Sequence, residues 1–228
     1  MDDPTKQRLI DQTEILHKAN DWAGTEALWR PYVAQPDLEA QYRLAYYYLF
    51  YAFDEQPPIR AEMEMLMRSA ADQGHPDAVY WLSHLYPDGE ERDALLCKAG
   101  ELGSLEAQRD LGAYYATGDW TGPCDPVRAA QWYRRAAERG HSDAQYNLGF
   151  IYLLGEGVAS NHEEGLRWLK LAAAQGNDTS MSLLSDLYRN GHWGVPVDLS
   201  EAAHWESLYR DWEQEFAAGN AEGSDPPG

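Results

Sequence analysis

The clearest structural signal lies in residues 136–158, which run AAERGHSDAQYNLGFIYLLGEGV. Ala144, Leu148 and Tyr152 stand four residues apart in this segment, so they line one face of a helix. Gly140 suits the left-handed residue that ends a preceding helix, and the Asp or Ser residues after it can cap the next one through a side-chain oxygen. The segment therefore predicts two helices joined by a tight turn.

The same pattern recurs along the chain. The turn glycines are 29, 37 and 36 residues apart, at Gly74, Gly103, Gly140 and Gly176. The helix pattern has five copies, which are Ala40/Leu44/Tyr48, Ala78/Leu82/Tyr86, Ala107/Leu111/Tyr115, Ala144/Leu148/Tyr152 and Ser180/Leu184/Tyr188. A helical hairpin of about 36 residues cannot bury its own apolar face, so stacked hairpins must share one core. The repeat predicts a solenoid.

A second apolar position lies eight residues before each turn glycine, and it marks the second helix of each hairpin. It is occupied by Leu66, Leu95, Trp132 and Trp168, and Trp205 continues the series. Because these tryptophans and the tyrosines of the first helix recur with the period, we expect them to form the core.

These motifs together resemble the Sel1-like repeat, a relative of the tetratricopeptide repeat. Leu-Gly-x2-Tyr, Gly-x-Gly-Val and Trp followed by Ala-Ala-x2-Gly carry the resemblance, and residues 142–176 match nearly throughout. The units that start at Asp37 and His75 are degraded, with Ala45 and Ser83 in place of the helix glycine. The resemblance implies an all-α, right-handed superhelical solenoid of stacked antiparallel helical hairpins.

The chain divides into three parts by this pattern. Residues 1–36 lack the motif and are predicted to form an N-terminal capping hairpin, with helices at 5–20 and 23–33. Residues 37–213 are predicted to hold about five repeats, ending in a helix over 200–212. Residues 214–228, with three glycines and two prolines, are predicted to be a flexible acidic tail.

Composition and charge limit the function. The chain has 38 acidic and 18 basic residues, a formal charge of −20, which repels nucleic acid and anionic membranes. It contains no apolar stretch long enough to cross a bilayer, and an acidic N-terminus where a signal peptide would be basic favours a cytoplasmic protein. The two cysteines, Cys97 and Cys124, are expected to be reduced.

No pattern in the sequence indicates catalysis. It lacks a nucleophile elbow, a phosphate loop and a metalloprotease motif, so we expect neither an enzyme nor a bound cofactor or metal. His75 and His141 occupy equivalent turn positions, which favours a structural role for both.

The candidate binding residues come from positions that do not recur. In tetratricopeptide-like hairpins the first helix of each unit lines a concave groove. The resemblance implies that residues two before and two after the motif leucine, and one position a turn further along, point into this groove. The predicted partner-binding residues are Tyr42, Tyr46, Tyr80, His84, Arg109, Tyr146, Phe150, Leu153 and Asp186. Tyr and Arg are frequent at binding hot spots. The alternative is that Tyr42 and Tyr46 merely pack against the N-terminal hairpin.

The expected function is therefore a non-catalytic scaffold that binds a basic partner protein in its groove, and the free protein is expected to be a monomer. One version is an immunity protein that neutralises a secreted bacterial toxin, since a toxin acting on nucleic acid or lipid would be basic. The alternatives are an adaptor in a signalling or secretion complex, or an enzyme. A self-assembling array is disfavoured because copies of charge −20 repel one another.

Overall fold

The structure, a computed structural model, describes residues 3–19, 21–33, 37–51, 57–118 and 123–222. Helices and short connections account for these residues, with no strand among them, which confirms the all-α class. The chain forms two compact units, residues 1–107 and 108–228.

The helices follow one another as hairpins. The first unit contains α1 (Asp3–Lys18), α2 (Trp22–Val33), α3 (Leu38–Tyr51), α4 (Pro57–Asp72), α5 (Pro76–Ser83), α6 (Glu90–Leu102) and the start of α7 (Leu105–Thr117). The second unit contains the rest of α7, α8 (Pro126–Ala137), α9 (Ser142–Leu154), α10 (His162–Ala173), α11 (Asp178–Asn190), a 3-10 turn (His192–Gly194) and α12 (Leu199–Glu222). Helices α1 and α2 occupy the segments predicted for the capping hairpin.

The turns between hairpins use the predicted glycines. Gly140, for example, has a φ of 95°, and the following residue caps the next helix. Asn177 caps α11 through its side-chain oxygen, 2.9 Å from the amide nitrogen of Ser180. At His75 and His141 the cap is instead ring atom Nδ1, 3.3 and 3.4 Å from an amide nitrogen. The structural role predicted for these two histidines is confirmed, and the expectation of an oxygen cap is wrong at both.

The motif leucines form the centre of each hairpin, and Leu111, Leu148 and Leu184 are fully buried. The glycine after Leu148 allows close packing, since a Cβ at Gly149 would lie 2.9 Å from the carbonyl oxygen of Gly165. Helices α9 and α10 thus approach at a point where no side chain fits between their backbones.

The recurring tyrosines are less buried than predicted. Tyr48 is fully buried, but Tyr86, Tyr115, Tyr152 and Tyr188 are half-buried. Basic side chains cover most of the motif rings, in the pairs Arg30–Tyr48 (5.7 Å), Arg128–Tyr115 (5.5 Å), Arg134–Tyr152 (5.8 Å) and Lys170–Tyr188 (5.2 Å). A cation over an aromatic face is attracted by the ring quadrupole, so these basic side chains stabilise the motif tyrosines that are only half-buried.

Two predicted helix boundaries differ from those observed. Helix α5 ends at Ser83, so Tyr86 lies outside it, because Pro87 disfavours helical backbone in the residue before it. The last helix, predicted over 200–212, runs to Glu222. Residues 214–222 are therefore helical rather than a flexible tail, since residues 213–218 are mostly strong helix formers. Residues 223–228 lie outside the described residues.

A buried ion cluster joins three helices of the first unit. The carboxylate of Glu39 lies 3.1 Å from Lys6 Nζ, 2.8 Å from Arg43 Nε and 3.4 Å from His75 Nε2. Burial by itself raises the pKa of Glu39, but the hydrogen bonds with His75, Arg43 and Lys6 outweigh it and hold the pKa well below its ordinary value.

Candidate functional site

Three of the nine predicted binding residues are part of the core. Tyr42 stacks on His75 with ring centroids 4.2 Å apart, and Tyr80 packs edge-on against Trp81. Leu153 lies in the apolar core of the second unit. All three are buried, so their side chains are not available to a partner, and we leave them out of the proposed surface.

The predicted residues Tyr46 and His84 belong to a contiguous aromatic cluster of the first unit, together with Phe50 and Trp81. The ring of Tyr46 lies 4.6 Å from Phe50 and 5.7 Å from Trp81, and Trp81 lies 5.5 Å from His84. Tyr46 is half-buried, whereas Phe50 and His84 are exposed. Since Trp81 belongs to α5, Tyr46 packs on the following repeat, as Tyr42 does through His75. Packing against the N-terminal hairpin alone therefore does not account for these two tyrosines.

In the second unit, three rings form a surface that we call the aromatic patch, made of Tyr146, Phe150 and Trp193. Tyr146 stacks on Phe150 at 6.3 Å, and Phe150 meets Trp193 edge-on at 5.5 Å. Tyr146 and Phe150 are half-buried, and 39% of Trp193 is exposed. Trp193 has a φ of 50°, a left-handed conformation that is uncommon for a bulky residue. The patch thus keeps apolar rings accessible on a backbone held in a strained turn.

A cavity of about 400 Å³ adjoins the patch at Tyr146. We call it the acidic cavity, and it is lined by Tyr146, Asp178, Thr179, Ser182, Leu183, Asp186 and Tyr209. The structure therefore brings together Tyr146 and Asp186, two of the predicted residues, which come from α9 and α11. None of the lining residues is basic.

The polar groups of the cavity are only partly engaged within the protein. Asp186 accepts a hydrogen bond from Asn190 at 2.6 Å and lies 3.7 Å from His192. A hydrogen bond to Glu213, together with the charge of that carboxylate, raises the pKa of the Tyr209 hydroxyl. Burial raises the pKa of Tyr146. The cavity consequently presents negative charge beside phenol rings.

Two of the other predicted residues, His84 and Arg109, are not members of the aromatic patch. His84 belongs to the aromatic cluster of the first unit. Arg109 is half-buried in the second unit and forms an ion pair with its neighbour Asp110 at 2.5 Å. Neither lines the acidic cavity.

Sequence reasoning missed Trp193 and Tyr209. A signal for Trp193 was available, because the loop at 191–195 is one residue longer than the matching loop at 155–158 and carries a tryptophan there. Tyr209 lies on the second helix of its repeat, outside the positions considered. Only the contact between helices places it at the cavity.

Neither a disulfide nor a metal-binding cluster is present in the described part of the chain. Cys97 and Cys124 are both free thiols. No group of three or more His, Cys, Asp or Glu side chains there is arranged to hold a metal ion. Among the described helices, none combines the length and apolar character needed to cross a bilayer.

The repeat pattern is recognised independently by a family model. The model of the Sel1 repeat matches residues 38–51, 64–75, 105–141, 142–177 and 179–205, together more than half of the chain. The chain belongs to the Sel1 repeat family. The resemblance derived from the motifs and the repeat solenoid it implied are therefore confirmed.

Solved structures include close neighbours of this fold. A Sel1 repeat protein from Oxalobacter formigenes is 29% identical, with a TM-score of 0.72 over 84% of this chain and 80% of that one. An immunity protein from Pseudomonas aeruginosa is 21% identical, with a TM-score of 0.68 over 93% of this chain and 83% of that one. At that identity the second likeness concerns the fold alone.

Curated relatives are longer proteins. Chitin synthase regulatory factor 3 of Schizosaccharomyces pombe is 29% identical over 198 residues, 81% of this chain but 21% of that protein. An uncharacterized protein of Neisseria meningitidis is 35% identical over 157 residues, 65% of this chain and 30% of that protein. This Sel1 repeat chain thus matches only a part of each.

Proposed function

We propose that this protein is a non-catalytic scaffold that binds a partner protein on the aromatic patch of its second unit. The observation that carries the proposal is the contact of Tyr146, Phe150 and Trp193, three rings that form one surface and remain partly accessible. Aromatic residues with few rotatable bonds dominate the energetics of protein interfaces. Rings are not needed at the positions of Tyr146 and Phe150 in every repeat, since the copies around Leu111 and Leu184 have no aromatic residue there.

The charge distribution favours a basic partner. Several of the 18 basic residues are already engaged within the fold, for instance Arg134 and Lys170 with tyrosine rings and Arg43 with Glu39. The unpaired excess of acidic side chains therefore gives the protein a negative electrostatic potential. A field of this sign speeds association with a cationic protein and disfavours anionic competitors.

An immunity or inhibitor role is the version we favour. It requires a folded scaffold with an open binding face, and the formal charge of −20 suits a basic target. The fold it shares with an immunity protein from Pseudomonas aeruginosa supports the idea at the level of architecture. The second candidate is an adaptor or regulatory module, which the partial match to a chitin synthase regulatory factor favours.

The binding surface is tested by affinity purification from the native cell. The wild type is compared with the triple variant Tyr146→Ala/Phe150→Ala/Trp193→Ala and with the control Val127→Ala/Leu171→Ala, which removes exposed apolar side chains from α8 and α10. We expect one protein of high pI to be recovered with the wild type and the control and lost with the triple variant. Equal recovery with all three proteins would contradict the proposal.

The two versions of the function differ in what the partner does alone. If this protein confers immunity, the recovered partner expressed by itself in a host cell arrests growth, and co-expression of this chain restores it. If this protein is an adaptor, we expect no growth defect when the partner is expressed alone or together with this chain. Rescue must also fail with the triple variant, which loses the patch and whose fold is verified by circular dichroism.

A further inference from the structure

The acidic cavity beside the aromatic patch has a composition that points to one kind of ligand group. Asp178 and Asp186 supply carboxylates, and Tyr146 and Tyr209 supply phenol rings, around about 400 Å³ of space. This volume lies within the range of roughly 300–1,000 Å³ found for small-molecule sites. Resting on the proposed function, we infer that this cavity receives an arginine side chain of the partner protein.

The first reason is charge. No lining residue is basic, and the neighbours that Asp186 contacts are a neutral amide and an imidazole. Thr179, which contacts Asp178, is likewise neutral. Asp178 and Asp186 lie eight residues apart on α11, about 12 Å along the helix axis. The cavity therefore carries negative charge at two places, and a cation that enters it gains an attractive interaction with a carboxylate.

The second reason is a comparison within the protein. The motif tyrosines of the same unit have basic side chains over their rings, as Tyr152 has Arg134 and Tyr188 has Lys170. Arg134 also donates a hydrogen bond to the Tyr152 hydroxyl at 2.7 Å. Among the described residues, no basic side chain covers Tyr146 or Tyr209. The cavity thus offers to a partner the same contact that the fold makes internally elsewhere.

Arginine fits this site better than lysine. Its planar guanidinium can stack on a tyrosine ring and donate paired hydrogen bonds to a carboxylate at the same time. A lysine ammonium is a strongly hydrated point charge and gains less from a ring beside it. The arrangement of rings next to carboxylates therefore selects the flat cation.

The test uses the full chain and an end-blocked peptide, Gly-Gly-Arg-Gly-Gly, with matched peptides that carry lysine or citrulline at the centre. Citrulline keeps the shape of arginine and removes its charge. Binding is followed by the amide NMR shifts of Leu183 and Tyr209. We expect the arginine peptide to bind in the millimolar range, the citrulline peptide at least about tenfold more weakly, and the lysine peptide in between.

Variants place the peptide in the cavity. Asp186→Asn should weaken binding of the arginine peptide by about tenfold, and Tyr209→Leu by several fold, because they remove a carboxylate and a ring. A thermal melt verifies the fold of each variant, and the peptide series on the wild type needs no variant at all. Equal binding of the arginine and citrulline peptides, no shifts with any peptide, or unchanged binding to Asp186→Asn would each overturn the inference.

The test separates this inference from the proposed function. The control variant Val127→Ala/Leu171→Ala should leave peptide binding within about twofold of wild type, because neither side chain lines the cavity. If the partner depends on the patch but the peptide does not bind, only the arginine site is wrong. If the peptide binds as expected and the partner ignores the patch, the cavity stands and the proposed binding surface fails.

Discussion

The two units place the same repeat position in different environments. Two residues before the motif leucine, the first unit has Tyr42 and Tyr80, which are buried, whereas the second has Tyr146, which is half-buried beside a cavity. Trp81 follows Tyr80 and packs on its ring, but the equivalent residue after Tyr146 is Asn147, whose amide bonds to the carbonyl oxygen of Asp143 at 2.8 Å. A neighbouring side chain therefore decides whether a tyrosine supports the fold or remains open to a partner.

The largest effect should come from a recurring tryptophan. Trp168→Ala removes a buried side chain of α10, and we expect it to lower the free energy of unfolding by about 3–5 kcal/mol. Trp193→Ala is the control, with an expected loss below about 1 kcal/mol. Urea unfolding followed by circular dichroism measures both. Equal losses would mean that the second unit does not separate core from surface rings.

A pair of tyrosine variants addresses the comparison itself. Tyr80→Ala should lower the free energy of unfolding by about 3 kcal/mol, because it opens a cavity in the first unit. Tyr146→Ala should lower it by only about 1 kcal/mol, since its ring is already half exposed. The same unfolding experiment applies. A larger loss at Tyr146 than at Tyr80 would reverse the assignment of the two environments.

The glycine loop of the second unit gives the next prediction. A Cβ at Gly157 would overlap the carbonyl oxygen of Pro126, and the φ of Gly157 is 71°, whereas nothing lies within 4 Å of a Cβ at Gly140. Gly157→Ala should therefore lower the free energy of unfolding by about 2 kcal/mol or more, and Gly140→Ala by about 1 kcal/mol from backbone strain alone. Thermal melts of the two variants decide the order.

An acid-sensitive contact distinguishes the first unit. Because the pKa of Glu39 is lower in the folded protein than its ordinary value of 4.5, its stabilisation is complete above about pH 4.5 and is lost as the pH falls below it. Glu39→Gln should lower the free energy of unfolding at neutral pH by about 1–2 kcal/mol. The free energy of unfolding of this variant should also change less than that of the wild type between pH 5 and pH 3. An unchanged pH dependence would contradict this role.

The smallest expected effect is a gain. Ser180 holds the position that is alanine in the other four copies, and its hydroxyl is buried without a hydrogen-bond partner among the described residues. A buried unsatisfied hydroxyl costs about 1–3 kcal/mol, so Ser180→Ala should raise the free energy of unfolding by about 1 kcal/mol. Ser185→Ala is the contrasting variant, because the Ser185 hydroxyl donates to the carbonyl oxygen of Ala202 at 3.1 Å and its loss should destabilise the protein.

Most of the fold could be predicted because the repeat displays its core period five times. Leu148, Gly149 and Gly140 each have one physical role, and periodicity reveals it. Helix ends were less predictable, since the end of α5 depends on Pro87 and α12 continues through residues that form helix on their own.

The candidate site was predictable only in part. Tyr146, Phe150 and Asp186 were identified from their offsets to the motif leucine, but Tyr42 and Tyr80 share the offset of Tyr146 and are buried. What separates them is the three-dimensional contact with His75 and Trp81, which no spacing along the chain encodes. Tyr209 reaches the cavity from a different helix for the same reason.

The central claim is that partner binding belongs to the aromatic patch of the second unit, and photo-crosslinking in the native cell tests it most directly. The photoreactive amino acid p-benzoylphenylalanine replaces Phe150 in one variant, Phe50 in a second and Leu171 in a third, so that the two units and an exposed position on α10 are compared. We predict a covalent adduct with one basic protein from position 150 and none from position 171. An adduct from position 50 or 171 with none from position 150 would contradict the claim.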